Sequence, residues 1–167
     1  MPEIIVLAHN IRSTHNVGSI FRTADGFGVK EIILSGYSPF PSLPNDPRLP
    51  HLSEKITKQI HKTALGAETI VPFRVTELPP LDELRTRGFR IVALEQATTS
   101  VPLHRYTAPS KIALLLGEEV EGISADLLAL CDDIVEIPMV GKKESFNVSV
   151  AAALALYQFS VLDYNTP

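Results

Sequence analysis

Apolar and polar positions alternate along the chain in two rhythms. Short unbroken apolar runs occur at "IIVLA" (4–8), "EIILSG" (31–36), "TIVPF" (69–73), "FRIVALE" (89–95), "KIALLLG" (111–117) and "DIVEIPM" (133–139). Runs of this length, bounded by glycine, proline or charge, predict strands, and a run apolar at every position predicts a strand covered on both faces. Between them lie stretches of helical character at 16–27, 53–65, 81–88, 124–131 and 146–163. Ser124 is placed to cap the fourth, and Ser145 or Asn147 the fifth. The segment 37–52 holds five prolines and predicts a long loop. Strands alternating with helices predict an α/β fold with a mostly parallel sheet.

Two of these helices depart from a simple amphipathic pattern. At roughly 100° per residue, Val17, Ile20, Phe21, Ala24 and Phe27 share one arc of the first helix, which predicts its core face. Gly18, Arg22 and Asp25 fall opposite, with Ser19 and Gly26 beside them. Interior glycine costs about 1 kcal/mol relative to alanine, so a ligand or another backbone is expected to approach this face. By itself the segment reads more simply as a surface arginine paired with Asp25 at i+3, with glycines near the helix ends. The last helix, "VSVAAALALYQFSVL", is apolar nearly all round and is expected to be buried on more than one side, against this chain's core and a second subunit.

The 167 residues suit one domain. No apolar run is long enough to cross a bilayer, no signal peptide is evident, and the single cysteine, Cys131, excludes an internal disulfide. A cytoplasmic protein is expected. The net charge of −4 argues against a surface that is basic all over, but allows a local basic patch. The five histidines show no ligand spacing with cysteines or acids, so no metal is expected. No G-x-G-x-x-G or phosphate loop occurs. "LLLGEEVEGIS" (114–124) leaves a buried strand through three glutamates. Taken alone, this is either a site wall suited to a cation or an acidic helix start. Ser145 and Asn147, taken alone, are capping residues.

In order, three segments resemble the motifs of the SpoU/TrmH family of RNA 2′-O-ribose methyltransferases in the SPOUT superfamily: "NVGSIFRTADGFGV" (16–29), "LLLGEEVEGIS" (114–124) and "IPMVGKKESFNVSVAAALALY" (137–157). "KTALGAE" (62–68) is similar to a further segment common in these enzymes. The resemblance implies an α/β fold with a C-terminal deep trefoil knot, S-adenosylmethionine as cofactor, RNA as substrate, and a homodimer joined through the last helix. It implies a catalytic set of Asn16, Arg22, Glu119, Ser145 and Asn147. Cofactor contacts are implied around Leu94, Glu95, Gly117, Ile137, Met139, Ser145 and Phe146. The chain departs from the family pattern at Glu118, where a small or amide residue is usual, and at Phe146, where leucine is commoner.

Taken as it stands, the sequence reads as one catalytic domain, 1–167, without RNA-binding extensions, which is then expected to contact RNA itself. Lys142 and Lys143 lie in the third motif. Lys55, Lys58 and Lys62 fall within about 60° on a helical wheel. With Arg12, Arg22 and Arg48 they form the expected phosphate-binding surface, unless the lysines are simply a solvated face. The proline-rich loop either covers the RNA or packs on the surface. Transfer RNA is favoured on analogy with compact members of the family, and rRNA is the alternative. Two other readings are a methyltransferase-like RNA-binding protein without transfer activity and an unrelated α/β nucleotide-binding enzyme.

Overall fold

In a computed structural model describing residues 1–162, seven parallel strands form one sheet. They are β1 (Glu3–His9), β2 (Glu31–Ser35), β3 (Phe73–Thr76), β4 (Arg90–Leu94), β5 (Val101–Pro102), β6 (Lys111–Leu116) and β7 (Asp133–Glu136). Their order across the sheet is β3-β2-β1-β6-β4-β7-β5, and all six pairings are parallel. The helices are α1 (Thr14–Gly26), α2 (Pro50–Ala64), α3 (Leu81–Thr86), α4 (Ala125–Leu128) and α5 (Val148–Tyr157).

Alternation along β1 separates two cores. Ile4, Val6 and Ala8 join the cluster under α1, α2 and α5, through Val17, Ile20, Phe21, Ile60, Ala152 and Leu156. Ile5 and Leu7 join the cluster on the other face, with Leu81 and Leu84 of α3, Ile123, and Leu127 of α4. Burying each large aliphatic or aromatic side chain of α1 stabilises the fold by roughly 1.5–3 kcal/mol. Both faces of the central strands are therefore covered, as their unbroken apolar runs require.

Several boundaries differ from expectation. The strand expected at 69–73 lies at Phe73–Thr76. Residues Ala67–Thr69 form a 3-10 turn, closed by Thr69 N–H donating to Gly66 O and Val71 N–H to Ala67 O. Pro72 lacks an N–H, so pairing with β2 begins beyond it. Helix α2 starts at Pro50, inside the expected loop, because proline suits the first turn. Strand β7 stops at Glu136, before Pro138. The short strand β5 was not anticipated. Helix α5 ends in a π-helical turn, Gln158–Leu162, and the expected end at 163 lies outside the described residues.

The expected polar face of α1 is only partly open. Arg22 and Asp25 are exposed, but Gly18 is buried. A Cβ at Gly18 would stand 2.2 Å from Ile60 O. The close approach is made by the α2 backbone, not by RNA or a partner subunit. Gly26 faces open space.

Candidate active site

Ligands of open parallel sheets bind beyond the carboxyl ends of the strands. A cleft lies at that edge across the neighbouring strands β6, β4 and β7. One wall is Leu94, Glu95 and Gln96, where β4 ends. A second is Leu116 to Val120, with Gly122, after β6. A third is Glu136, Ile137 and Met139 after β7. The fourth is Ser145, Phe146 and Asn147 with Val148 and Ala151 of α5. Every residue expected around the cofactor (Leu94, Glu95, Gly117, Ile137, Met139, Ser145, Phe146) lines this cleft. Leu116, Glu118, Val120 and Gly122 also line it and belong to the segment 114–124 expected as a site wall, whereas Gln96, Glu136, Val148 and Ala151 were not singled out. Their nearness to the chosen residues in sequence was the available signal.

The loop after β6 is a tight turn. Glu118 N–H donates to Gly122 O at 3.2 Å and Gly122 N–H to Glu118 O at 2.9 Å. Gly122 has φ +69°, and a Cβ there would stand 2.4 Å from Glu95 Oε2. Only glycine meets both demands. Glu95 accepts from Ile123 N–H at 3.0 Å and Gln96 N–H at 2.9 Å, so it ties the ends of β4 and β6 together.

The carboxylates of this loop do not converge as metal ligands. Glu118 is buried and turns back on its own loop, accepting from Val120 N–H at 2.9 Å and from Glu121 N–H. Its other oxygen meets Arg12 Nε at 3.0 Å, an ion pair without an aligned hydrogen bond. The departure from the family pattern thus adds an internal brace. No group of three or more acids, histidines or cysteines suited to a metal occurs among the described residues.

Glu119 reaches the N-terminus of α1. It accepts from Arg12 N–H at 3.0 Å, Ser13 N–H at 3.3 Å and Asn16 Nδ2 at 2.9 Å. A carboxylate there also complements the helix dipole. Burial pushes its pKa up, but these hydrogen bonds outweigh burial and hold it below the usual glutamate range. Asn16 Oδ1 in turn accepts from Asn147 Nδ2 at 3.1 Å. Asn147 caps α5, accepting from Ser149 N–H at 2.9 Å. Ser145 is exposed on the cleft wall and does not cap. One hydrogen-bonded chain, Glu119–Asn16–Asn147, therefore joins the start of α1 to two segments each more than 100 residues away from it in sequence.

Arg22 is not brought into this cluster. It lies on the exposed side of α1 and does not line the cleft. Lys142 and Lys143 are exposed in the loop before α5, which Gln96 holds by donating to Glu144 O at 2.6 Å. Lys55, Lys58 and Lys62 line a groove on α2 with His51, Glu54 and Gln59. Arg12 is exposed at the cleft rim. Arg48 is unavailable to phosphate. Its guanidinium stacks 3.6 Å from the Phe40 ring, pairs with Asp46 and donates to the carbonyls of Phe40 and Pro41. These contacts clamp the proline-rich loop.

The chain matches the SpoU rRNA methylase family over residues 3–157. A Staphylococcus aureus protein named for the TrmH tRNA/rRNA methyltransferase family is 33% identical over 92% of this chain. The match covers 57% of that relative, so this chain spans little more than half the length of such proteins. The A. aeolicus TrmH/SpoU tRNA modifying enzyme superimposes with a TM-score of 0.77 at 28% identity, covering 95% of this chain and 74% of that one. AviRb of Streptomyces viridochromogenes, a SpoU methyltransferase solved in complex with AdoMet, gives 0.74 at 26% identity, covering 93% and 58%. With its second and third motif segments lining one cleft, the first tied to them through Asn16, and the family's pattern running through residues 3–157, this chain belongs to the SpoU rRNA methylase family.

Proposed function

We propose that this chain is the catalytic domain of a cytoplasmic RNA 2′-O-ribose methyltransferase that uses S-adenosylmethionine and acts on tRNA in preference to rRNA. The observation that carries this reading is the Glu119–Asn16–Asn147 chain at the edge of a cleft built from the expected cofactor residues. The cleft suits the cofactor chemically. Leu94, Leu116, Ile137 and Val148 offer an apolar surface to an adenine ring, and Glu95, Glu119 and Glu136 surround it with negative charge suited to a sulfonium. When bound, S-adenosylmethionine supplies an electrophilic methyl group.

The protein's own residues align the reactants and accommodate the charge that develops on the ribose oxygen. Glu119 and Asn16 hold the start of α1 against the cleft. Asn147 fixes the start of α5. Arg22, a permanent cation that lies outside this chain's own cleft, acts across the dimer described below, holding the phosphate beside the target ribose and stabilising the charge on its 2′-oxygen while the hydroxyl proton passes to water. Lys142, Lys143 and Arg12 at the rim, with Lys55, Lys58 and Lys62 on α2, guide the RNA backbone.

A homodimer through α5 belongs to the same reading. Val150, Leu154 and Tyr157 leave an exposed apolar face on α5 while Ala152, Ala155 and Leu156 are buried. Phe27 at the end of α1 contacts Tyr157 edge-on, so a second copy docked on α5 also meets α1, which carries Arg22. The trefoil knot of the family is part of this proposal. The preference for tRNA is supported by the A. aeolicus relative, a tRNA modifying enzyme.

The test is transfer of labelled methyl groups from S-adenosylmethionine to separate pools of unmodified tRNA and rRNA, followed by nucleoside analysis. Label is expected in a 2′-O-methylated nucleoside from tRNA. Arg22→Ala is expected to bind cofactor normally and transfer at least about 100-fold more slowly. Failure of the wild-type chain to bind cofactor would overturn the reading.

A further inference from the structure

The turn after β2 mounts one aromatic ring in solvent beside the cleft. Gly36 has φ +64°, and a Cβ there would stand 1.9 Å from Asn10 Oδ1. That Asn10 oxygen accepts from Tyr37 N–H at 3.2 Å, and Asn10 itself has φ +57°. Gly36 N–H donates to Glu77 O at 3.0 Å. On the other side, buried Ser38 donates to Ala8 O and accepts from Ile11 N–H, both at 2.8 Å. The backbone around Tyr37 is thus pinned on both sides, yet the residue is 55% exposed. The turn is closed by backbone and by the side chains of Asn10 and Ser38, and the face of the Tyr37 ring is left to solvent.

The ring is close to the site. The Tyr37 backbone N–H is held by Asn10, two residues before Arg12, whose guanidinium meets the Glu118 carboxylate at 3.0 Å, and the Tyr37 side chain and then Glu118 raise the Arg12 pKa. Glu118 lines the cleft, and the Arg12 backbone N–H is held by Glu119. Arg12 thus bridges the segment that holds the Tyr37 turn and the cleft wall. Sequence-specific RNA recognition targets unpaired bases, which stack on aromatic rings and guanidinium planes.

We propose that Tyr37, with Arg12 beside it, is the platform on which an unpaired RNA base next to the target nucleotide stacks. The proposal rests on the RNA methyltransferase reading and adds a residue that selects substrate. The Arg12 cation is placed to meet the phosphate of the same nucleotide. Because every base has a π-face, this contact favours single-stranded RNA of any sequence over duplex.

The experiment uses the full chain as wild type, Tyr37→Ala and Tyr37→Phe. Binding of fluorescently labelled hexauridylate and hexaadenylate is followed by anisotropy, and binding of S-adenosylmethionine alone by calorimetry. Tyr37→Ala is expected to weaken both oligomers about 5- to 150-fold, the range for loss of one stacked base. Tyr37→Phe keeps the ring and is expected to stay within about twofold of wild type. Cofactor affinity is expected to be unchanged in all three. Wild-type affinity in Tyr37→Ala would overturn the proposal, as would equal losses in both variants or no oligomer binding by the wild type. Normal methyl transfer with an unaffected Tyr37→Ala would remove the stacking site alone. Absence of cofactor binding in the wild type would remove the methyltransferase reading itself.

Discussion

Replacing Gly18 with alanine sets two effects of known size against each other. Alanine is the better helix former by about 1 kcal/mol. The new Cβ, however, would lie 2.2 Å from Ile60 O, 2.2 Å from Thr63 Oγ1 and 3.0 Å from Ala64 N. The threonine hydroxyl can rotate away, but it then gives up its hydrogen bond to His15 O at 2.8 Å, worth about 1 kcal/mol. The Ile60 carbonyl belongs to α2 and cannot rotate, so the helices must part by about 1 Å, an overpacking cost of roughly 1–3 kcal/mol. The net expectation is a loss of about 1–3 kcal/mol, or roughly 3–10 °C in Tm for a domain of this size. Gly26→Ala is the internal control. Nothing lies within 4 Å of its Cβ, so it is expected to gain about 0.4–1 kcal/mol. Urea denaturation of the three proteins reads both changes as shifts in midpoint at constant slope. A Gly18→Ala protein as stable as wild type would refute the close contact of α1 and α2. Equal losses in both variants would refute the assignment of that contact to Gly18.

Glu119 gives a pH signature. Its folded pKa lies below the ordinary value, so its stabilisation is complete above the unfolded pKa of about 4.3 and is lost as pH falls through the lower folded value. The stability gap between wild type and Glu119→Gln, read from denaturant midpoints, is therefore expected to be constant near neutrality and to close on acidification. Asn16→Ala and Asn147→Ala are expected to be non-additive in a double-mutant cycle, with a coupling of about 0.5–1.5 kcal/mol from their shared hydrogen bond. Strict additivity would mean that the contact contributes nothing. Lys142→Ala with Lys143→Ala is expected to weaken RNA binding and flatten its salt dependence by about two units of slope. An unchanged slope in filter-binding titrations would move the phosphate contacts elsewhere.

Much of this protein is determined by order along the chain. Unbroken apolar runs between helical stretches specify a parallel α/β sheet, because a strand covered on both faces has no polar alternation. The residues around the cleft were legible for a related reason. Leu94, Gly117 and Ile137 each follow a strand, and parallel strands deliver their carboxyl ends to one edge. The N-caps Ser124 and Asn147 were local enough to be read or narrowed to two candidates. The tertiary structure decided what depends on neighbours distant in sequence. A helical wheel shows that Gly18 lies away from the apolar arc, but not that α2 covers it. The Glu119 carboxylate has no local partner. Its place at the α1 N-terminus follows from β6 lying beside β1 across more than 100 residues of chain. Arg48 suits a phosphate by residue type, but its loop folds back on Phe40 and Asp46, which engage the guanidinium. Residue type and spacing set which groups are present at each strand end, whereas sheet order and loop closure set which of them touch.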